Sequence, residues 1–222
     1  MKKFIVTGTP RSGTTFLCSR FAALDNVYMY SDYDYEPFSP YAGVLDEETY
    51  LEDLVTNNPN KIVGLKTWWY DSYMFTEHTK SFDQIVLIRK DVQKVFLSLI
   101  VLLRFGYDEN KSSKNRAGST ELVYGDFGLR YNAHNLLKSY YYSEKMTCME
   151  KIYFEDLVVG SYNPTNLEDY FENKLDLNPN YKESVLTDYY QDPDRFIRVL
   201  RDTALSMDHK KFPDYVRENL HI

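Results

Sequence analysis

The chain has 222 residues, 43% hydrophobic and 16% aromatic, enough apolar matter for a sizeable core, which excludes disorder and fibrous architectures as its main state. Its 26 Lys and Arg against 33 Asp and Glu leave a net charge of −7, the wrong sign for a protein that gains affinity by neutralising a phosphate backbone, so nucleic acid is excluded as a bulk partner. Tyrosine is in surplus at 21 copies, and composition alone leaves two explanations open, a binding surface or a bias in coding.

The segment Met1-Lys2-Lys3-Phe4-Ile5-Val6-Thr7-Gly8 has too short an apolar run for a secretory signal and reads as a first strand over Phe4–Thr7. A loop and a helix over Thr14–Leu24 follow. Next come a strand over Lys61–Lys66, a helix over Asp71–Lys80, a strand over Gln84–Ile88 and a helix over Asp91–Arg104. This alternation predicts an α/β fold, with helices packed on a central parallel sheet. A polar stretch, Gly106–Gly128, reads as a loop; a helix over Leu129–Met146, a short strand over Lys151–Phe154 and helical segments complete the chain. No repeat or long linker divides it, so one domain over residues 1–222 is expected.

The longest apolar stretch, Val95–Leu103, is interrupted by Ser98 and falls well short of the roughly 20 residues a membrane span needs. No membrane partner is expected, and no segment signals an oligomeric state. The two cysteines, Cys18 and Cys148, show no metal-ligand spacing and read as small thiols of a reducing cytoplasm.

Charge is unevenly spread. No Lys or Arg occurs from Phe21 to Asn60, whereas Lys61 to Arg116 holds ten basic residues against six acidic ones. Local potential rather than net charge governs a cleft, so this basic middle third suits a small polyanion.

Directly after the first strand stands Gly8-Thr9-Pro10-Arg11-Ser12-Gly13-Thr14-Thr15, the G-x-x-x-x-G spacing of a P-loop. Glycines there let the backbone turn tightly, so that successive amides surround a phosphate at a helix N-terminus. A nucleotide triphosphatase has Lys next, to reach the outer phosphates; here Thr14 occupies that place, and the nearest cation is Arg11 inside the loop. A guanidinium at this point can fork around an oxyanion.

With these residues the chain resembles the sulfotransferases that use 3′-phosphoadenosine 5′-phosphosulfate (PAPS). Their loop reads T-x-P-[KR]-S-G-T-T-[WF]-L, matched without a break from Pro10 to Leu17, with Gly8 in the place of the first Thr. The resemblance implies a P-loop-like, three-layer domain in which Arg11, Ser12, Gly13, Thr14 and Thr15 hold the 5′-phosphosulfate and Phe16 lies near the adenine. A second family signature, a strand-end Arg with a Ser on the next helix, holds the 3′-phosphate; Arg89 and Ser98 have that layout, with Lys90 the alternative to Arg89. Ile152-Tyr153-Phe154-Glu155-Asp156-Leu157 resembles the family's strand-ending Y-E-D-L, which implies stacking by Phe154 near the adenine. Tyr131-Asn132-Ala133-His134 resembles the helix before that strand, where His134 reads as a helix-face residue. The likeness reaches from Met1 to about Val158. The C-terminal R-K-G and G-x-x-G motif is absent, and Lys111, Lys114 or Arg116 are the candidates for a missing phosphate contact.

Sulfuryl transfer needs a donor held in line, positive charge over the sulfonate oxygens and a base for the acceptor proton. Leu65-Lys66-Thr67-Trp68 aligns with the family's L-K-T-H, which implies that Lys66 steadies the sulfonate. Trp68 replaces the histidine base and cannot accept a proton. Other branches use a Glu after the first helix, and Glu36, between Tyr35 and Pro37, lies in that region; neighbouring aromatics would desolvate it and raise its basicity. Asp32, Asp34 and His78 are the further candidates. Protein cations cover the sulfonate in this scheme, so no metal is required. The function expected is PAPS-dependent transfer to a hydroxyl of a small acceptor, with PAP as the other product. Tyr28–Phe38, aromatic and acidic, suggests a pocket for a flat or phenolic alcohol. A P-loop kinase and a nucleotide-binding module without catalysis are the alternatives.

Overall fold

The computed structural model describes residues 2–30, 55–66, 81–105, 126–179 and 193–222. Its strands are β1 Lys3–Gly8, β2 Val27–Tyr30, β3 Ile62–Lys66, β4 Asp83–Ile88 and β5 Glu150–Tyr153. They form a five-stranded sheet in the order β2-β3-β1-β4-β5, with every neighbouring pair parallel. The helices are α1 Thr14–Ala22, α2 Val92–Phe105, α3 Asp126–Lys145, α4 Phe154–Val158, α5 Thr165–Phe171, α6 Pro193–Ser206 and α7 Asp214–Leu220. The fold is therefore α/β, a parallel sheet flanked by helices.

Two compact units make up the chain. The first comprises Met1–Gly8, Ser12–Ile88 and Met146–Asn180; the second comprises Thr9–Arg11, Arg89–Lys145 and Tyr181–Ile222.

The first unit owns the sheet. Parallel strands buried on both faces read as continuous apolar runs, and Phe4, Ile5, Val6 and Thr7 of β1 are all at most 2% exposed. On one face Phe4, Val6, Ile85, Leu87 and Ile152 pack with Leu17, Cys18 and Phe21 of α1 and with Leu167 and Phe171 of α5. The Phe4 ring meets Phe21 at 5.4 Å and Phe171 at 5.0 Å, both edge to face.

Two strand glycines mark close approaches. A β-carbon at Gly8 would overlap the Leu87 carbonyl of β4, which is backbone and cannot yield. One at Gly64 would meet the Phe4 ring and, at 2.6 Å, the mobile end of Met29. Gly8→Ala, against backbone, and Gly64→Ala, against the fully buried Phe4 ring, are therefore each expected to cost about 3 kcal/mol or more; urea denaturation of the two variants measures the losses.

In the second unit Leu129, Ala133, Leu136, Leu137 and Tyr140 form a buried stripe at helical spacing along α3. α3 packs with α6, and α2 packs with α6 and α7. Asp91 caps α2 by accepting the Lys94 N–H at 3.0 Å. The Gln93 N–H donates to Asn219 Oδ1 at 3.1 Å, tying that end of α2 to α7. Among the described residues no helix is long and apolar enough to cross a membrane.

Three expectations change. Val27–Tyr30 is an edge strand, so the aromatic segment expected from Tyr28 onward begins in the sheet. Strand β5 stops at Tyr153, and Phe154 opens a helical turn. Among the described residues helix α3 covers Asp126–Lys145, so it includes three residues ahead of the expected Leu129. The expected helix over Asp71–Lys80 lies outside the described residues.

Candidate functional site

The carboxyl ends of parallel strands gather on one edge of the sheet, and open α/β sheets bind ligands there, where the strand order reverses direction. In this sheet β1 sits between β3 and β4, so the chain passes over it on the way from one to the other. The segment following β1 lies at that switch point.

Gly13 is the N-cap of α1, with φ 96° and ψ 19° in the left-handed region. Its carbonyl accepts the Leu17 N–H at 3.0 Å, and among the described residues no side-chain cap bond is made at this helix start. A β-carbon at Gly13 would also stand 3.1 Å from the Phe154 ring, so both φ and space require glycine. Ser12 Oγ and Thr7 Oγ1 are buried and make no hydrogen bond among the described residues. A buried hydroxyl without a partner costs about 1–3 kcal/mol, a cost that a bound oxyanion beside Ser12 would remove. Lys66, half-buried at the end of β3, donates from Nζ to Thr15 Oγ1 at 3.1 Å. The first unit thus brings together Ser12, Gly13, Thr15 and Lys66, residues that suit an anion.

Phe16 and Arg20 face each other one turn apart on α1, with the guanidinium 5.0 Å from the ring centroid. Arg20 also donates to the Asn178 carbonyl at 3.2 Å. Phe154 is 6% exposed and belongs to the core, so in this structure its ring backs the loop at Gly13.

In the second unit Arg11 has φ 59°. The other two described non-glycine residues with positive φ, Glu172 and His221, are helix C-caps, where that conformation is ordinary. Arg11 ends no helix. Such strain costs about 1–3 kcal/mol and collects at ligand-binding loops. The exposed Arg11 donates from Nε to Ser98 Oγ at 2.9 Å, joining two residues 87 positions apart. Arg89 follows β4 directly; its N–H donates to Thr9 Oγ1 at 3.4 Å and its carbonyl accepts the Tyr140 hydroxyl at 2.6 Å. His134, on α3, is held toward its neutral form by partial burial and by the charge of Lys138.

Thr9 and Tyr140 escape sequence reasoning, since Tyr140 is one of 21 tyrosines and Thr9 fills a variable loop position. Glu36, Asp32, Asp34, His78, Trp68, Lys111, Lys114 and Arg116 lie outside the described residues. Among those that are described, no three His, Cys, Asp or Glu side chains cluster as a metal site would require.

No protein-family model matches the chain, and no curated protein matches it. Among solved structures it is similar to the crystal structure of a sulfotransferase from Alicyclobacillus acidocaldarius, at 13% identity and a TM-score of 0.44, over 100% of this chain and 96% of that one.

Proposed function

We propose that the chain is a PAPS-dependent sulfotransferase that moves a sulfuryl group to a hydroxyl of a small acceptor. The observation that carries the reading is the β1–α1 loop. It has a left-handed glycine at an uncapped helix start, a buried hydroxyl without a partner, Lys66 turned to the helix's first turn, and Thr14 where a phosphotransferase would need Lys.

Ser12, Gly13, Thr14 and Thr15 hold the 5′-phosphosulfate with their amides and hydroxyls. Phe16 offers an apolar face to the adenine. Arg89 and Ser98 meet the 3′-phosphate, Arg89 by its fork and Ser98 by its hydroxyl. Arg11 is bonded to Ser98 in this structure. In the reaction the acceptor oxygen bonds to sulfur, the bond from sulfur to the phosphate oxygen breaks, and the acceptor proton passes to a base, for which Glu36 is proposed. Lys66 and Arg11 neutralise the sulfonate and the leaving phosphate.

The test is transfer of labelled sulfate from PAPS to pooled phenols, sterols and sugars. Labelled product supports the assignment. Phosphoryl transfer from magnesium ATP instead would make the chain a kinase, and nucleotide binding without any transfer would make it a binding module. Arg89→Ala is expected to weaken calorimetric binding of 3′,5′-adenosine bisphosphate about 10- to 100-fold, the scale of a lost charge-assisted contact. Unchanged affinity removes Arg89 from the donor site.

A further inference from the structure

We propose that Tyr140 is a positioning residue for Arg89, and that selectivity for a nucleotide bearing a 3′-phosphate depends on its hydroxyl. This deepens the reading above and rests on it, taking Arg89 as the residue that meets the 3′-phosphate.

Arg89 is the first residue beyond β4, where the sheet's ladder no longer holds the backbone. Two side chains reach it there. Thr9 Oγ1 accepts the Arg89 N–H at 3.4 Å, a long bond, while the Tyr140 hydroxyl donates to the Arg89 carbonyl at 2.6 Å, a short one. Of these two, the stronger restraint comes from α3. Tyr140 is fully buried within the stripe Leu129, Ala133, Leu136 and Leu137, and its ring lies edge-on to Tyr215 of α7, centroids 6.1 Å apart. A ring packed in this way cannot follow a moving partner, so its hydroxyl acts as a fixed peg.

Fixing the Arg89 carbonyl fixes the peptide plane and with it the direction in which the side chain leaves the backbone. Direction matters for arginine in particular. A guanidinium meets phosphate through a planar fork, and misaiming it loses a bidentate contact that a point charge would partly keep. Helix α2 has its own cap at Asp91, so its start persists without Tyr140. The hydroxyl sets how Arg89 is presented relative to Ser98, nine residues on.

Calorimetry with 3′,5′-adenosine bisphosphate and with 5′-AMP tests this. Tyr140→Phe keeps the ring and removes the hydroxyl; the bisphosphate should bind about 3- to 10-fold more weakly while 5′-AMP stays within about twofold, the scale of one hydrogen bond. Thr9→Val, also isosteric, is a second variant and should move the ratio the same way by a smaller factor. In an Arg89→Ala background Tyr140→Phe should add nothing. Equal weakening for both nucleotides, an unchanged bisphosphate affinity, or an additive loss in the double variant each overturns the proposal. A wild-type chain that binds the two nucleotides alike overturns the donor reading itself, and the role of Tyr140 with it.

Discussion

Lys66→Met is expected to lower kcat about 100- to 1000-fold while the Kd for 3′,5′-adenosine bisphosphate moves less than about fivefold. The ammonium sits at the end of β3, paired in register with Val6 of β1, and its Nζ reaches Thr15 Oγ1 at 3.1 Å in the first turn of α1. In the proposed reaction a cation fixed there would meet charge that the sulfonate group carries through transfer but that the bisphosphate product lacks. Removing a preorganised donor of this kind therefore costs rate and spares product affinity. Methionine keeps the length and apolar stem of lysine, so packing around the partly buried chain is retained. Steady-state kinetics with saturating PAPS, beside calorimetry of the product, measures the split. If product affinity falls in step with kcat, Lys66 holds a phosphate and not the sulfonate; if kcat is unchanged, the residue has no part in transfer. Thr15→Val should give a smaller loss of kcat and also weaken bisphosphate binding, since Thr15 accepts from the ammonium and is proposed to meet the 5′-phosphate as well.

The sheet was legible in the sequence for a physical reason. Central parallel strands are buried on both faces, so β1, β3 and β4 appear as runs of Val, Ile, Leu and Phe that no amphipathic helix would show. The edge strand β2 has only four residues, Val27–Tyr30, and its Tyr-Met-Tyr looks like part of the aromatic stretch that follows. Pairing with β3 decides its state, and pairing is a tertiary fact. The glycine loop was legible because Gly8 and Gly13 are demanded by backbone geometry: one by the Leu87 carbonyl, the other by φ 96° and the Phe154 ring.

Side-chain direction was less legible. Phe154 follows a strand whose alternation ends at Tyr153, and once the chain turns into α4 the period of two no longer says which way a ring points. It points into the core. The bond from Arg11 to Ser98 and the one from Tyr140 to Arg89 join residues 87 and 51 positions apart, so each partner is visible alone and the pair only after folding. The tyrosine surplus is explained in part by such placements. Tyr140 is a buried peg, and Tyr170 joins the Phe4 and Phe171 rings while its hydroxyl donates to Asp83 at 3.0 Å, whereas Tyr131 is 61% exposed.

Glu36→Gln is expected to lower kcat about 100- to 10,000-fold with the Kd for the bisphosphate unchanged within about twofold. As the acceptor oxygen bonds to sulfur in the proposed reaction it must shed its proton, and Trp68, standing where the sulfotransferases that the sequence resembles carry a histidine, offers no lone pair to take it. A carboxylate can. Glu36 lies in sequence between Tyr33, Tyr35 and Phe38, in the stretch without Lys or Arg, so nothing cationic beside it along the chain would depress its basicity. Gln keeps the shape and hydrogen-bonding reach but cannot hold a proton on its oxygen at working pH, so binding survives and proton transfer does not. The pH profile gives an independent mark. The base acts when ionised, hence kcat/KM of the wild type falls as pH drops through its pKa, and that acidic limb should vanish in Glu36→Gln along with the rate. A limb near the ordinary histidine value of about 6.5, lost in His78→Ala and kept in Glu36→Gln, would move the role to His78. Retention of both limb and rate in Glu36→Gln, with loss in Asp32→Asn or Asp34→Asn, would move it to that aspartate.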